Sequence, residues 1–360
     1  LGRNIAEKES DRKSIELIGT LPEWDLTDLY MDQDAPEIGK DIKNLCLNVK
    51  SFSKDYQGNL KTLSASEMLK CIKRNEEISN LMGRLGSYAG LRYYQRTTDP
   101  VRSKFLARIQ EEITRNSSEL IFFSLEFNQL EEEHLSQLLA ENKDLAKYSS
   151  AFKRMRALKP YQLSDELEKF LNDQSIVGAS AWNRLFDETM ASLQFKLDKK
   201  EVALETVLNK LTDRKRTERK KAAKSLAKVL TKNLPLFTRI TNTLVKEKSI
   251  EDKWRNFPSP EFSRHLSNDI EPTVVNALRN AVVDNYPNIS HRYYRLKAKW
   301  LGLKKLEIWD RNAPLKNDTT DLISWSKAKE LVLSAYKEFD PRLEKLAKPF
   351  FQNGWIDAEV

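Results

Sequence analysis

Three histidines, His134, His265 and His291, are the side chains of this sequence best suited to metal or general acid–base chemistry. A helical zinc site needs two histidines one turn apart, so that both ring nitrogens face the ion, with a glutamate as base. No histidine here has another within five residues. The two cysteines, Cys46 and Cys71, are too few for a metal cage or a disulfide framework, and two reduced thiols weigh more than one disulfide. His134 lies in EEEHLSQLL, where its acidic neighbours place it on an exposed helix face. No zinc is therefore expected on this chain alone, and no residue is assigned a catalytic, cofactor-binding or metal-ligating role.

Phosphate chemistry is equally poorly served. Gly83, Gly86 and Gly90 in MGRLGSYAG fall within a helical pattern and follow no strand, so they are read as permitting close helix packing. No Gly-x-Ser-x-Gly elbow occurs. Asp310 and Arg311, at the end of an expected strand, are read as a structural ion pair rather than a cleft pair.

The elements that would position such residues are mostly helices. After Ser66, taken as an N-cap, apolar residues from Leu69 to Tyr88 recur at helical spacing, and the helix is expected to reach about Gln95. Asp99-Pro100 opens another, with Val101, Phe105, Ile109 and Ile113 at i+4, running to about Leu125. Shorter helices are expected over 131–141, 144–157, 164–172 and 176–191. Residues 193–204, LQFKLDKKEVAL, alternate around Asp198-Lys199-Lys200 and predict a hairpin. Helices follow over 214–232, 233–253, 272–285 and 290–301, then a strand within 303–315 and helices after Ser324 and Asp340-Pro341. No fixed-period repeat emerges. The fold class is mainly α with one small β-hairpin.

Composition narrows the function classes. The chain has 360 residues, 61 Lys+Arg against 53 Asp+Glu and only ten Gly, which excludes collagen-like and disordered chains and suggests two domains. Mean hydropathy is −0.62 and no apolar run approaches 18 residues, so no membrane span is expected. The first ten residues lack an apolar core, so no secretory signal is expected and the location is read as cytoplasmic. The whole excess of +8 sits in residues 214–232, RKRTERKKAAKSLAKVLTK. Ala222, Leu226, Val229 and Leu230 form an apolar stripe there, and no aromatic residue accompanies the cations. A solvated helix face is preferred over a nucleic-acid site.

Several segments carry a resemblance. LPEWDLTDLY (21–30) resembles the opening signature of bacterial oligoendopeptidase F, of the thimet-oligopeptidase-like zinc metallopeptidases. LTDRKRTERKKAAKSLAKVL (211–230) looks like the helix leading into that family's peptidase domain. The best match is SRHLSNDIEPTVVNALRNAVVDNYPNISHRYYRLKAKWLGLKKLEIWDRNAPL (263–315), and the stretch from about Ser324 to FFQNGWIDAEV is also similar.

The resemblance implies a helical, two-lobed fold around a channel that admits short oligopeptides. It implies zinc held by a helical His-Glu-x-x-His and a later acidic ligand, the metal lowering the pKa of its bound water. In the family that motif lies downstream of the segment resembling GWIDAEV, so none of its ligands maps onto this chain. The expected organisation is a mobile lead (1–20), an N-terminal helical domain (21–205) and an incomplete N-terminal part of the catalytic domain (206–360). Tyr293, Tyr294 and Asp310 are candidates for a channel wall, although core packing of the two tyrosines weighs more. Expected partners are short oligopeptides and the missing catalytic segment, with neither nucleic acid nor membrane. A non-catalytic helical interaction module or a degenerate remnant is the alternative.

Overall fold

The computed structural model describes residues 18–315 and 322–358. Most of the expected lead at 1–20 lies outside the described residues.

The first half is a helical bundle built around rings. It comprises α1 (Pro36–Tyr56), α2 (Ala65–Gln95), α3 (Pro100–Ser118), α4 (Ile121–Gln129), α5 (Glu132–Glu141), α6 (Lys143–Ala146) and α7 (Ser149–Arg156). Helix α1, to which the sequence reading assigned nothing, buries Ile38, Leu45, Val49 and Phe52 along one face. Helix α2 starts two residues earlier than expected because Ser64, not Ser66, forms a capping box with Glu67. Asp99 caps α3 through the Val101 and Arg102 N–H groups, with Pro100 in the first turn.

The single helix expected over 100–125 is broken after Ser118. There Asn172 Nδ2 donates to the Thr114 carbonyl at 3.3 Å and to Ser118 Oγ at 2.6 Å, drawing the last turn toward a later helix. Helix α4 is rich in apolar residues and largely buried, with Phe122, Phe123, Leu125 and Phe127 inside. Phe52 meets Phe122 at 5.8 Å, and Phe127 meets Phe152 at 4.7 Å between ring centroids, so the phenylalanines join α1, α4 and α7. Of the three glycines in α2, only Gly86 marks a tight approach: a Cβ there would lie 3.2 Å from Ile113 Cδ1 of α3.

Beyond the bundle lie α8 (Asp165–Gln174), α9 (Ala179–Ser192) and the hairpin β1 (Phe195–Leu197) and β2 (Lys200–Val202), paired Phe195 to Val202 and Leu197 to Lys200. Asp198 and Lys199 both take positive φ, 45° and 75°, as a two-residue hairpin turn of the primed type requires. Phe195 packs with Val207 of α10 (Leu204–Lys210) and Ala222 of α11 (Arg216–Lys232) in a second, smaller cluster. Then come α12 (Leu234–Arg255), α13 (Phe262–Ser267), α14 (Pro272–Asn285), α15 (Ser290–Trp300), α16 (Trp325–Phe339) and α17 (Pro341–Gln352). None of α14, α16 and α17 has a buried residue.

The strand expected within 303–315 is not formed. Gly302 at φ 69° ends α15, and Ile308–Asp310 closes a 3-10 turn in which the Glu307 N–H donates to Asp310 Oδ2 at 3.1 Å. Residues 21–30 are tied to the far end of the described chain. Asp25 N–H donates to the Gly354 carbonyl at 2.8 Å and Ala358 N–H to the Pro22 carbonyl at 2.9 Å. Gly354 is required there: φ is 67° and a Cβ would lie 2.6 Å from Asp25 Cβ.

Candidate functional site

Two constellations bring polar side chains from distant parts of the chain together, and they differ in what they can do. The first is closed. Asp310 is 0% exposed and Arg219 3%. Arg216 grips the Asp310 carboxylate through Nε at 3.1 Å and Nη2 at 2.9 Å, and Arg219 Nη2 adds a bond at 2.9 Å. Arg219 also donates to the Trp309, Asp213 and Arg214 carbonyls. Burial pushes the Asp310 carboxyl up, but the hydrogen bonds from Arg216, the Glu307 N–H and Arg219 outweigh it and hold the pKa at about 2. The expected Asp310–Arg311 pair is therefore replaced. The partners come from the start of α11. Reading all of residues 214–232 as a solvated face fails at Arg219, which is buried, whereas Arg216 pairs with Asp310 while staying exposed. The buried carboxylate accepts from both arginines and from the Glu307 N–H, so this is a structural clasp.

The second constellation is a groove of about 1780 Å³ between α4 and α7 on one side, α8 and α9 on another, and α12 along its length. Glu168 of α8 and Arg255 of α12 form a two-bond ion pair across one end, Nη1 to Oε1 at 2.7 Å and Nη2 to Oε2 at 2.9 Å. Burial raises the Glu168 pKa, while Arg255 and the Leu163 N–H lower it further, leaving it below the ordinary value. Asn256, left-handed at φ 56°, ends α12, and the Phe257 ring turns back to meet Tyr161 at 4.9 Å. Farther along, Glu247 Oε1 accepts from the Ala179 N–H at 3.1 Å at the start of α9. Gly178 permits this approach, since a Cβ there would lie 2.3 Å from that oxygen. On the wall, Asn128 Nδ2 donates to Gln162 Oε1 at 2.9 Å, while its own Oδ1 is buried without a partner.

The walls are apolar yet uncovered: Phe170 is 61% exposed and Trp254 60%. Along the facing side of α12 run Arg239, Asn242, Thr243 and Lys246, then Ile250 and Trp254. Among the described residues, neither Arg239 nor Lys246 has an ion-pair partner. No site residue of this groove was singled out from the sequence. Its signal was legible in principle, because Arg239, Lys246, Ile250 and Trp254 are spaced seven, four and four apart on one helical face.

The remaining candidates do not converge. Among the described residues, no group of three His, Cys, Asp or Glu side chains could hold a metal ion, so the residues present do not fit a zinc site. His265 is buried, and His134 is half-buried with its Nε2 unpartnered, not on an open face as its neighbours implied. Tyr293 and Tyr294 are exposed rather than packed in a core, lying 5.7 Å apart between ring centroids. Lys297 beside them is buried and donates to the Arg311 carbonyl at 2.7 Å. Both cysteines are free, and burial pushes the Cys71 thiol up to about 12, which removes it from nucleophilic chemistry. Among the described residues no helix is long and apolar enough to cross a membrane.

Comparison with known proteins adds sequence kinship to this geometry. A family model described as oligopeptidase F matches residues 126–195. The chain is similar to oligopeptidase PepF of Bacillus subtilis, 23% identical over 359 residues covering 98% of this chain and 52% of the relative. It is also similar to group B oligopeptidase PepB of Streptococcus agalactiae, 26% identical over 94% of this chain and 56% of the relative. The fold matches the crystal structure of oligoendopeptidase-F from Enterococcus faecium with a TM-score of 0.71 at 23% identity, over 84% of this chain and 58% of that one. This chain thus spans about half the length of the curated relatives it matches. Sequence and fold agree that the chain is homologous to the oligopeptidase F family.

Proposed function

We propose that this chain is the N-terminal part of an oligopeptidase F-like zinc endopeptidase that hydrolyses short oligopeptides in an enclosed channel. In this reading residues 21–205 are the N-terminal helical domain and 206–360 the first part of the catalytic domain. The chain supplies scaffold and channel wall, and a complementary polypeptide segment supplies the His-Glu-x-x-His helix and the zinc. No chemical step is assigned to this chain, because its own residues do not fit the metal.

The observation that carries the reading is the uncovered apolar surface of the last helices. Leu278 of α14 is 66% exposed, Phe339 of α16 83% and Leu346 of α17 69%. Soluble monomers rarely leave contiguous apolar patches beyond a few hundred Å², and a relative of about twice this length has the chain to cover them. The free thiols of Cys46 and Cys71 support a cytoplasmic location. Arg216 and Arg219 are consumed by Asp310, which supports reading the basic helix as structure rather than a nucleic-acid site.

The test is to coexpress this chain with a polypeptide of the same genome that carries His-Glu-x-x-His, in the presence of zinc. A short quenched-fluorescent peptide should be cut by the mixture and by neither component alone. Cleavage by the isolated chain, or a stable complex without cleavage, overturns the reading. The second outcome leaves a non-catalytic interaction module.

A further inference from the structure

The groove along α12 has a direction. From Arg239 to Trp254 its α12 side changes from cationic and polar to apolar and aromatic. Fifteen helical steps cover about 22 Å at the rise of an α-helix. From Lys246 to Trp254 the distance is about 12 Å. An extended peptide covers those spans with about seven and about four residues respectively.

The charges of the groove are divided unequally between its ends. Glu168 and Glu251 are both bound to Arg255 at the aromatic end, and Glu247 caps the Ala179 N–H. Arg239 and Lys246 are exposed, lie two turns apart on the same face, and have no carboxylate partner among the described residues. Thr238, Asn242 and Thr243 add hydrogen-bonding side chains beside them. The volume, about 1780 Å³, exceeds that of small-molecule sites, roughly 300–1,000 Å³.

We infer that this groove binds short peptides by their carboxyl terminus, the terminal carboxylate lying against Arg239 and Lys246 and an apolar side chain four to seven residues upstream lying against Phe170 and Trp254. The inference rests on the peptide reading above and deepens it by naming which end of the peptide is held, by which residues, and at what length. A carboxylate is the group that matches two cations with no ion-pair partner among the described residues, without demanding a phosphate's deeper cradle of backbone N–H groups. The aromatic end supplies area and the cationic end supplies orientation, which is the usual division of work in such sites.

The experiment uses the whole chain and two probes, the N-acetylated pentapeptide Phe-Ala-Ala-Ala-Ala with a free carboxyl terminus and its carboxamide. Binding is followed by calorimetry and by tryptophan fluorescence. The free acid is expected to bind about tenfold more tightly than the amide, the effect of a charge meeting two partly solvated cations. Replacing both cations (Arg239→Ala with Lys246→Ala) should bring that ratio to about one while leaving the affinity for the amide unchanged. Trp254→Ala should weaken both peptides alike. Lys224→Ala, on the exposed side of α11, should leave the ratio intact.

Equal affinity for acid and amide in the unaltered chain overturns the inference, as does a ratio that survives the double replacement. Binding of neither peptide, with a fluorescence response that Trp254→Ala abolishes appearing only when a complementing polypeptide is added, makes the groove a protein–protein seam and also overturns it. Hydrolysis by the complemented mixture is scored separately. Failure there with the acid preference intact defeats the peptidase reading and leaves the groove's specificity standing.

Discussion

The bundle between Tyr30 and Phe152 and the helices after Leu204 are made of similar helical sequence but differ in what covers them. In the bundle one continuous cluster buries Phe52, Phe122, Phe127 and Tyr88 almost completely. After Leu204 the buried cluster is Val207 and Ala222 with Phe195 of the hairpin. The later helices do not lack local signals. Ser324 caps α16, Asp340 caps α17 through the Arg342 N–H, and Pro272 opens α14. The difference teaches that capping and periodicity suffice to draw a helix, whereas a core requires a second apolar surface opposite it. In the later region polar clasps, Asp310 with its two arginines and Glu168 with Arg255, join segments that the bundle would join with rings.

The contrast can be broken or sharpened by measurement, beginning with the largest expected effect. Phe127→Ala should destabilise the bundle by about 3–5 kcal/mol, since a fully buried ring leaves a cavity. Chemical denaturation followed by circular dichroism reads this, and a loss under 1 kcal/mol would show that the bundle is loosely packed. Asp310→Asn should cost about 2–3 kcal/mol, confined to the later region, because charge-assisted bonds are replaced beside a buried guanidinium. Calorimetry should resolve that loss as a fall in the lower of two transitions, since a chain with two unequal cores need not unfold in one step.

The same carboxyl gives a pH signature. Its folded pKa, about 2, lies below the ordinary aspartate value near 4, so its contribution is complete above about pH 4 and is lost as pH falls toward 2. The lower transition should drop more steeply over that window in the unaltered chain than in the Asp310→Asn variant. Parallel slopes would remove the clasp from the account. Gly354→Ala should cost about 1–2 kcal/mol, through the positive φ and the approach of Asp25. Hydrogen exchange should then quicken at the Asp25 and Ala358 amides. Smallest of all, Leu278→Ser should change stability by less than about 0.5 kcal/mol, because its side chain is largely in solvent already. The uncovered face should make the isolated chain self-associate in light scattering, and the same substitution should reduce that. A substantial loss of stability instead would mean that the face is covered within the chain.

Legibility followed the same physics. The helix over 272–285 was readable to the residue, since Glu271-Pro272 and Pro287 bound it locally. Helix α1 was equally readable from Ile38, Leu45, Val49 and Phe52, and was passed over. The strand expected near LEIWD misled because local alternation cannot report whether a pairing strand exists. There Asp310 turns inward to arginines more than ninety residues earlier in sequence. The face of Arg239, Lys246, Ile250 and Trp254 was legible, but that it lines a groove was not, for a related reason. Trp254 and Lys246 read as ordinary members of an amphipathic helix until α8 and α9 were set across from them.

By itself, the sequence determined the mainly helical class, the hairpin at Asp198-Lys199 and the kinship to the oligopeptidase F family. These depend on periodicity, turn chemistry and local motif, each written within a few residues. Only the tertiary structure decided that Asp310 is clasped by Arg216 and Arg219, that Asp25 meets Gly354, and that α12 lines an open groove. Each of those joins residues dozens to hundreds of positions apart, and chain spacing carries no information on which distant groups burial will force together.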